Sequence, residues 1–142
     1  MRYWWVFGGT CAGKKTLIRE LACNERMRQE LGIEGSVAVA WFEDGPEPLT
    51  PLDQIKADNV LIRWQWDRTQ TLTAMIPFSE NRIIEVRTPI VVRVERALHR
   101  EGWMRWGAKN FQEEDKGLAK ILLSFQKLPR IVVDGSTWNV IK

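Results

Sequence analysis

The stretch YWWVFGGTCAGKKT, residues 3–16, joins a short apolar run to a glycine-rich turn that ends in two lysines. A continuous apolar run is typical of a strand in a parallel sheet, because helices cover both faces of such a strand. Leu17, Ile18 and Leu21 follow at the spacing of one helix face. The stretch therefore predicts a strand, a loop at its carboxyl end and a helix that begins near Lys14.

Strand and helix patterns alternate along the rest of the chain. The predicted strands cover residues 3–7, 36–42, 59–64, 82–87 and 130–133. The predicted helices cover 14–31, 52–56, 69–75, a segment after Pro89 whose valines leave a strand as the alternative, and a segment around 118–125. Residues 103–110 are predicted to be irregular. This order predicts an α/β fold, a single domain over residues 1–142 with a mostly parallel five-stranded sheet and helices on both faces.

Composition narrows the class of protein. The chain is 44% apolar and 27% charged, with two cysteines and one histidine, which argues against disulfide scaffolding and zinc and favours a cytoplasmic protein. No apolar run is long enough for a membrane span, so no membrane partner is expected. The net charge of +3 suits a phosphorylated ligand; nucleic acid is possible but not favoured. The eight tryptophans predict a tryptophan-rich core, with base stacking by one or two as the alternative.

The glycine-rich turn matches the phosphate-binding motif G-x-x-x-x-G-K-[ST] at Gly8, Gly13 and Lys14. Glycines let the backbone curl so that its N–H groups face a phosphate, and the positive end of the following helix adds to the attraction. Lys14 would reach the β- and γ-phosphates. ATP is thus the expected cofactor, and the expected binding residues are Gly8, Gly9, Thr10, Gly13, Lys14, Lys15 and Thr16.

Lys15 departs from the motif, which has a hydroxyl there for Mg²⁺. With Thr16 one place later, the loop resembles that of nucleoside monophosphate kinases of the adenylate kinase type, which reads G-K-G-T. The resemblance implies that Thr16 takes the phosphate role and serves, with Asp67, the Mg²⁺ ion. Lys15 then either points outward or adds charge near the nucleotide.

The segment WDRT, residues 66–69, resembles the acidic-arginine pair of thymidylate and deoxynucleoside kinases. That resemblance implies that Asp67 helps to organise Mg²⁺ and that Arg68 contacts the end of the substrate that is phosphorylated. The pair follows a predicted strand, where open α/β sheets bind ligands. A surface salt bridge is the alternative.

Acids after the second predicted strand are candidates for a catalytic base, since deoxynucleoside kinases carry a glutamate in this region. Glu43, Asp44 and Glu47 all qualify, and a turn with solvated acids is the alternative.

The segment 85–100 resembles the strand, proline and arginine-bearing helix that lead to the lid of these kinases. The resemblance implies that Arg96, Arg100 and Arg105 clamp the transferring phosphates, which suits the forked guanidinium. A solvated basic face is the alternative. Residues 134–136 fall where these kinases place a loop against the adenine.

The sequence thus predicts a small ATP-dependent phosphotransferase that acts on a nucleoside, a nucleotide or a similar hydroxylated metabolite. A nucleotide-binding regulatory protein without turnover is the main alternative. A GTPase is disfavoured because the chain has no N-K-x-D sequence for reading guanine.

Overall fold

The computed structural model of the chain describes residues 1–40, 52–65, 68–100 and 107–141. Its strands are β1 (Arg2–Phe7), β2 (Val37–Ala40), β3 (Asn59–Arg63), β4 (Glu80–Arg87) and β5 (Arg130–Asp134). Its helices are α1 (Lys14–Cys23), α2 (Glu25–Glu30), α3 (Thr69–Met75), α4 (Ile90–Leu98) and α5 (Ala108–Ser124), with 3₁₀ turns at Leu52–Gln54 and Ile76–Phe78. No helix in these ranges is long and apolar enough to cross a bilayer.

The five strands form one parallel sheet in the order β2-β3-β1-β4-β5. The apolar strand β1 lies at its centre, with Trp5 paired to Ile62 of β3 on one side and to Ile83 of β4 on the other. The predicted α/β class and parallel five-stranded sheet are confirmed. Because all strands run the same way, the loops that follow β1, β3 and β4 meet at one edge.

Helices cover both faces of the sheet. Leu17, Ile18 and Leu21 of α1 pack on one face, which carries Trp4 and Val6 of β1. On the opposite face, Trp5 and Phe7 of β1 contact Leu72 of α3 and both Leu122 and Phe125 of α5. The connection that leaves β1 therefore covers the face opposite to those that leave β3 and β4. Open α/β sheets bind ligands in the crevice that such a reversal creates.

The predicted helix over 14–31 is wrong in its middle, because it is divided at Asn24. Asn24 is extended, and its side-chain oxygen accepts a hydrogen bond from the backbone N–H of Met27, which starts α2 as a new helix. Asparagine favours such a cap over the helix interior. Gly32, with a positive φ of 73°, follows the last turn as expected.

Two other boundaries differ from the expectation. The valine-rich segment after Pro89 is helical, which decides between the two alternatives for α4. The irregular assignment of 103–110 is wrong for its last three residues, since α5 already begins at Ala108. The side chain of Asn110 accepts a hydrogen bond from the N–H of Gly107 and so supports this early start. Residues 101–106 lie outside the described ranges.

Two of the buried tryptophans tie β1 to its neighbours on both sides. The indole N–H of Trp4 donates to Asn59 Oδ1 at the start of β3, at 2.9 Å. The indole of Trp5 donates to Asn81 Oδ1 near the start of β4, at 3.0 Å. Both asparagines are buried. The predicted tryptophan core is borne out for Trp4, Trp5 and Trp64, whereas residues 41, 66, 103 and 106 lie outside the described part of the chain.

Replacement of Asn59 by leucine should destabilise the fold, because it leaves the buried indole N–H of Trp4 without its acceptor. A buried donor without a partner costs about 1–3 kcal/mol. We expect a fall of that size in the free energy of unfolding, measured by urea titration. In a Trp4→Phe background the same replacement should cost less; an equal cost in both backgrounds would contradict the assignment.

Candidate anion-binding site around the glycine-rich loop

Residues 8–13 form a loop that connects β1 to α1 at the carboxyl edge of the sheet. Gly13 caps α1 with φ 104°, a left-handed conformation that side chains rarely adopt. A Cβ there would also lie 2.6 Å from the Cη2 atom of Trp138. No side chain caps this end of α1 in the described structure, so its first N–H groups point into the space before the helix.

Two arginines of α4 hold the backbone carbonyls of the loop. Arg93 Nε donates to Thr10 O at 3.0 Å. Arg96 Nη1 donates to the carbonyls of Cys11 and Ala12, each at 3.1 Å. Because the C=O and N–H of a trans peptide point in opposite directions, the N–H groups of these peptides face away from the arginines. The N–H of Ala12 donates to the carbonyl of Gly9 at 3.1 Å, so the orientation of an anion-binding nest applies to the N–H groups of Cys11 and Gly13.

Arg93 is the centre of this arrangement. Its side chain is only 3% exposed, and Nη1 donates to both carboxylate oxygens of Asp115 on α5, at 2.8 Å each. Nη2 pairs with Glu114 Oε1 at 2.8 Å, and the guanidinium lies 4.7 Å from the ring centroid of Phe111. One buried cation therefore joins the loop, α4 and α5.

Glu114 closes the network from the side of α5. Its two oxygens accept hydrogen bonds from the N–H and the hydroxyl of Thr10, both at 2.6 Å. A side chain at Gly9 would overlap the guanidinium of Arg93 and approach Glu114. Glycine at this position is therefore required by close approach of α4 and α5.

A cavity of about 340 Å³ lies in front of the loop. Its described lining consists of Gly9, Thr10, Cys11, Ala12, Gly13, Lys14, Lys15, Thr16, Arg63, Gln65 and Arg100. Four of these residues are cations and none is an acid. Arg93 and Arg96, which hold the loop carbonyls, are not in this described lining, in agreement with a cavity on the N–H side of the loop. The charge and the backbone dipoles both favour an anion.

The Lys14 ammonium donates to the carbonyl of Gly8 at 2.7 Å. Burial lowers the pKa of Lys14 from 10.5 to about 8, the negative charge of Glu114 opposes this shift, and the positive charges of Arg63 and Arg93 add to it. A bound phosphate would supply the missing negative charge and raise the pKa again.

A second pair of cations faces the same cavity. Burial and the positive charge of Arg100 lower the pKa of Arg63, at the end of β3, and Arg63 also donates to the side chain of Gln65. Like charges in proximity are stabilised by an anion between them. Arg100 follows α4, so the cavity draws its cations from three separate elements.

The structure gathers most of the predicted binding residues at this cavity. Gly9, Thr10, Gly13, Lys14, Lys15, Thr16 and Arg100 line it, and Gly8 supplies the carbonyl contacted by Lys14. Arg68 is not in the described lining: it is buried before α3, and its Nε donates at 3.2 Å to the carbonyl of Gln65, which is a lining residue. Arg96 holds loop carbonyls and Gly135 O, so its guanidinium is engaged by backbone. The predicted residues Glu43, Asp44, Glu47, Asp67 and Arg105 lie outside the described residues.

Sequence reasoning missed Arg93, Glu114 and Asp115. Arg93 lies on a helix with several other basic residues, and its carboxylate partners are more than twenty positions away along the chain. Its position among Ile90, Val94 and Ala97 on the buried side of α4 is the only signal that the sequence contains.

The described residues fit an anion better than a resident metal. Within residues 1–40, 52–65, 68–100 and 107–141 no group of three or more His, Cys, Asp or Glu side chains comes together. Thr16 offers one hydroxyl at the cavity. The assignment of Mg²⁺ to Thr16 and Asp67 stays a prediction.

No protein-family model, curated protein or solved structure matches this chain. Function is therefore inferred from the geometry of the loop and the chemistry of its lining.

Arg93→Met should destabilise the protein and loosen the loop, because it leaves two carboxylates without their shared cation. We expect a loss of about 2–3 kcal/mol, between the values for exposed and fully buried pairs. Urea unfolding measures this loss, and hydrogen exchange at Thr10 and Cys11 reports loop opening. Arg96→Met is the matched control, since Arg96 contacts only backbone among its described partners; equal effects on Thr10 would contradict the central role of Arg93.

The lowered pKa of Lys14 predicts a pH dependence of both stability and anion binding. Between pH 8 and 10.5 the unfolded chain keeps a proton on Lys14 that the folded chain has lost, so folding becomes more favourable as pH rises through this window. Relative to Lys14→Met, the wild-type urea midpoint should therefore rise between pH 8 and 10.

For ATP, the cofactor that the sequence predicts, the affinity should change in the opposite direction. ATP phosphates are fully ionised above pH 7.5, so the affinity should fall above pH 8, by at most about tenfold per pH unit, as Lys14 loses its charge. Calorimetric titrations at pH 7, 8 and 9 measure this, with Lys14→Arg as the control because arginine stays charged. A profile for wild type as flat as that of the arginine variant would contradict the argument.

Proposed function

We propose that the chain is a small ATP-dependent phosphotransferase that acts on a nucleoside, a nucleotide or a similar hydroxylated metabolite. One observation carries the proposal: a cavity with four cations and no described acid opens at a loop whose Thr10, Cys11 and Ala12 carbonyls are held by arginines outside the described lining. Triphosphates are the common polyanions that such loops bind. The place of the cavity at the carboxyl edge of the central strand supports the same class of ligand.

In the proposed reaction the triphosphate lies across the loop and the start of α1. Lys14 neutralises the β- and γ-phosphates, while Arg63 and Arg100 face the transferring group. An acceptor oxygen attacks the γ-phosphorus, the new O–P bond forms as the bond to ADP breaks, and the acceptor proton passes to a base. Mg²⁺, when bound with ATP, would neutralise charge on the β- and γ-oxygens. Thr16, at the mouth of the cavity, is the hydroxyl that this chain offers to phosphate or metal.

A nucleotide-binding regulatory protein without turnover is the second candidate. Lys15 favours it, because an exposed ammonium stands where phosphate-binding loops carry the metal hydroxyl. A protonated lysine cannot ligate a cation, although it can still bind phosphate. Both candidate functions require ATP binding, and only the phosphotransferase transfers the γ-phosphoryl group to an acceptor.

Incubation with ATP, Mg²⁺ and a panel of nucleosides and nucleotides separates them. A phosphotransferase forms ADP only when an acceptor is present, with an equal amount of phosphorylated product. A regulatory protein is protected by ATP against thermal unfolding and forms no ADP with any acceptor.

Two matched variants test the loop. Lys14→Ala should lower ATP affinity or turnover about a hundredfold or more, because Lys14 is the cation that the motif places against the β- and γ-phosphates. Lys15→Ser, one residue along, should leave turnover unchanged or improve its dependence on Mg²⁺. Unchanged ATP binding in Lys14→Ala would refute the phosphate site, and complete loss in Lys15→Ser would mean that Lys15 itself takes part in the chemistry.

A further inference from the structure

Lys15 is the residue of the cavity in front of the glycine-rich loop that the phosphate-binding motif does not explain. It occupies the motif position whose hydroxyl ligates the Mg²⁺ of a bound nucleotide. Its side chain is exposed and belongs to the described lining of the cavity. The first turn of α1 therefore carries two adjacent lysines, Lys14 and Lys15, and no acid. Cations are unfavourable at the positive end of a helix dipole, and a bound anion removes this conflict.

The side-chain oxygens of the described lining are poorly suited to hold a metal ion. Mg²⁺ prefers carboxylate oxygens, and the described lining contains no acid. The Thr10 hydroxyl donates to Glu114 Oε2 at 2.6 Å, and the side-chain oxygen of Gln65 accepts from Arg63. The hydroxyl of Thr16 is the other side-chain oxygen in this lining. One hydroxyl is a weak ligand set for a divalent cation.

Backbone carbonyls of the loop are engaged as well. Arg96 Nη1 donates to the carbonyls of Cys11 and Ala12, each at 3.1 Å. The carbonyl of Gly13 accepts from the N–H of Leu17 at 2.9 Å, within the first turn of α1. Acceptor atoms for a metal ion are thus scarce in the part of the cavity that the structure describes, whereas cations are present.

Charge selects between two forms of ATP. Metal-free ATP carries about four negative charges near neutral pH, and its Mg²⁺ complex carries about two. A protonated lysine cannot ligate a cation, and its charge repels one placed beside it. The same ammonium can donate three N–H groups to phosphate oxygens. Lys15 therefore favours the more highly charged, metal-free form.

We propose that the cavity binds the triphosphate of ATP without a divalent metal, and that Lys15 supplies the positive charge that the motif otherwise obtains from Mg²⁺. Both lysines at the start of α1 donate to phosphate oxygens, and the helix dipole attracts the anion in the same direction. The inference rests on the proposed function, since it takes ATP as the ligand, and it concerns binding alone.

Calorimetric titration with ATP in EDTA and in excess Mg²⁺, at pH 7 and equal ionic strength, tests the inference. Wild type should bind ATP at least as tightly in EDTA as in Mg²⁺, because the metal removes negative charge from the ligand. Lys15→Met should weaken binding in EDTA about tenfold or more, since a hydrogen bond between charged groups is lost. Its binding in Mg²⁺ should weaken less, because the complex carries less charge.

Arg19→Met is the matched control. Arg19 lies one turn further along α1, is exposed and is not in the described lining of the cavity. Its replacement changes the net charge by the same amount as Lys15→Met, so the affinity in EDTA should stay close to that of wild type. An equal loss in the two variants would overturn the inference, because binding would then report the overall charge of the protein.

Lys15→Ser restores the hydroxyl of the motif and should reverse the order of the two affinities, so that this variant prefers the Mg²⁺ complex. Since Lys15 is exposed, we expect thermal melts followed by circular dichroism to be the same for its variants and wild type. Wild type that binds ATP only with Mg²⁺ would overturn the inference. Lys15→Met that binds metal-free ATP as tightly as wild type would also overturn it.

The outcomes keep this inference distinct from the proposed function. ATP binding that requires Mg²⁺, together with ADP formation in the presence of an acceptor, overturns the inference and leaves the phosphotransferase intact. Metal-free binding that depends on Lys15, without ADP formation with any acceptor, supports the inference and favours the regulatory protein. Absence of ATP binding in both buffers overturns the inference and the proposed function together.

Discussion

The candidate site depends on one buried guanidinium. The guanidinium of Arg93 donates hydrogen bonds to a carbonyl of the glycine-rich loop and to two carboxylates of α5. The same group lies over the ring of Phe111. A charge that is 3% exposed is tolerated in a protein only when it is paired and fully hydrogen-bonded. The loop, α4 and α5 therefore have one mutual arrangement that satisfies Arg93, and the N–H side of the loop is presented as a consequence.

Charge is divided between two sides of the loop. On the side that faces α5, the guanidinium of Arg93 forms ion pairs with Glu114 and Asp115. On the other side, the cavity in front of the loop has four cations and no acid in its described lining; the cations are Lys14, Lys15, Arg63 and Arg100. The lowered pKa values of Lys14 and Arg63 indicate that bringing these cations together costs free energy when no anion lies between them. An anion recovers that cost on binding, which is the physical basis of the proposed nucleotide site.

The general fold was predictable because hydrophobic period and glycine placement are local signals. The apolar run before Gly8 and the helical spacing after Lys14 predict a strand, a loop and a helix, and the structure has all three. The break at Asn24 was missed because the pattern of residues 14–31 is helical throughout. The hydrogen bond between the Asn24 side chain and Met27 N–H, which starts a new helix, is not visible in that pattern. Boundaries of this kind depend on small differences in free energy.

The site was predictable only in part. The residues of the loop are contiguous, so a motif can identify them, and most line one cavity. Arg93 could not be distinguished from its basic neighbours, because its partners come from a distant helix. The candidate acids at 43, 44, 47 and 67 fall outside the described residues and stay predictions.

The two indole–asparagine contacts have a consequence at the far end of the sheet. Adjacent tryptophans of one strand point to opposite faces, and each reaches an asparagine near the start of a different neighbouring strand. A slip of β1 by one residue against either neighbour would turn both indoles to the wrong face and break both contacts. The position of Gly8 along the strand direction, relative to the ends of β3 and β4, is thus set by hydrogen bonds at the amino-terminal edge of the sheet. The two hydrogen bonds at the amino-terminal edge therefore hold the strand register on which the arrangement of the ligand-facing edge depends.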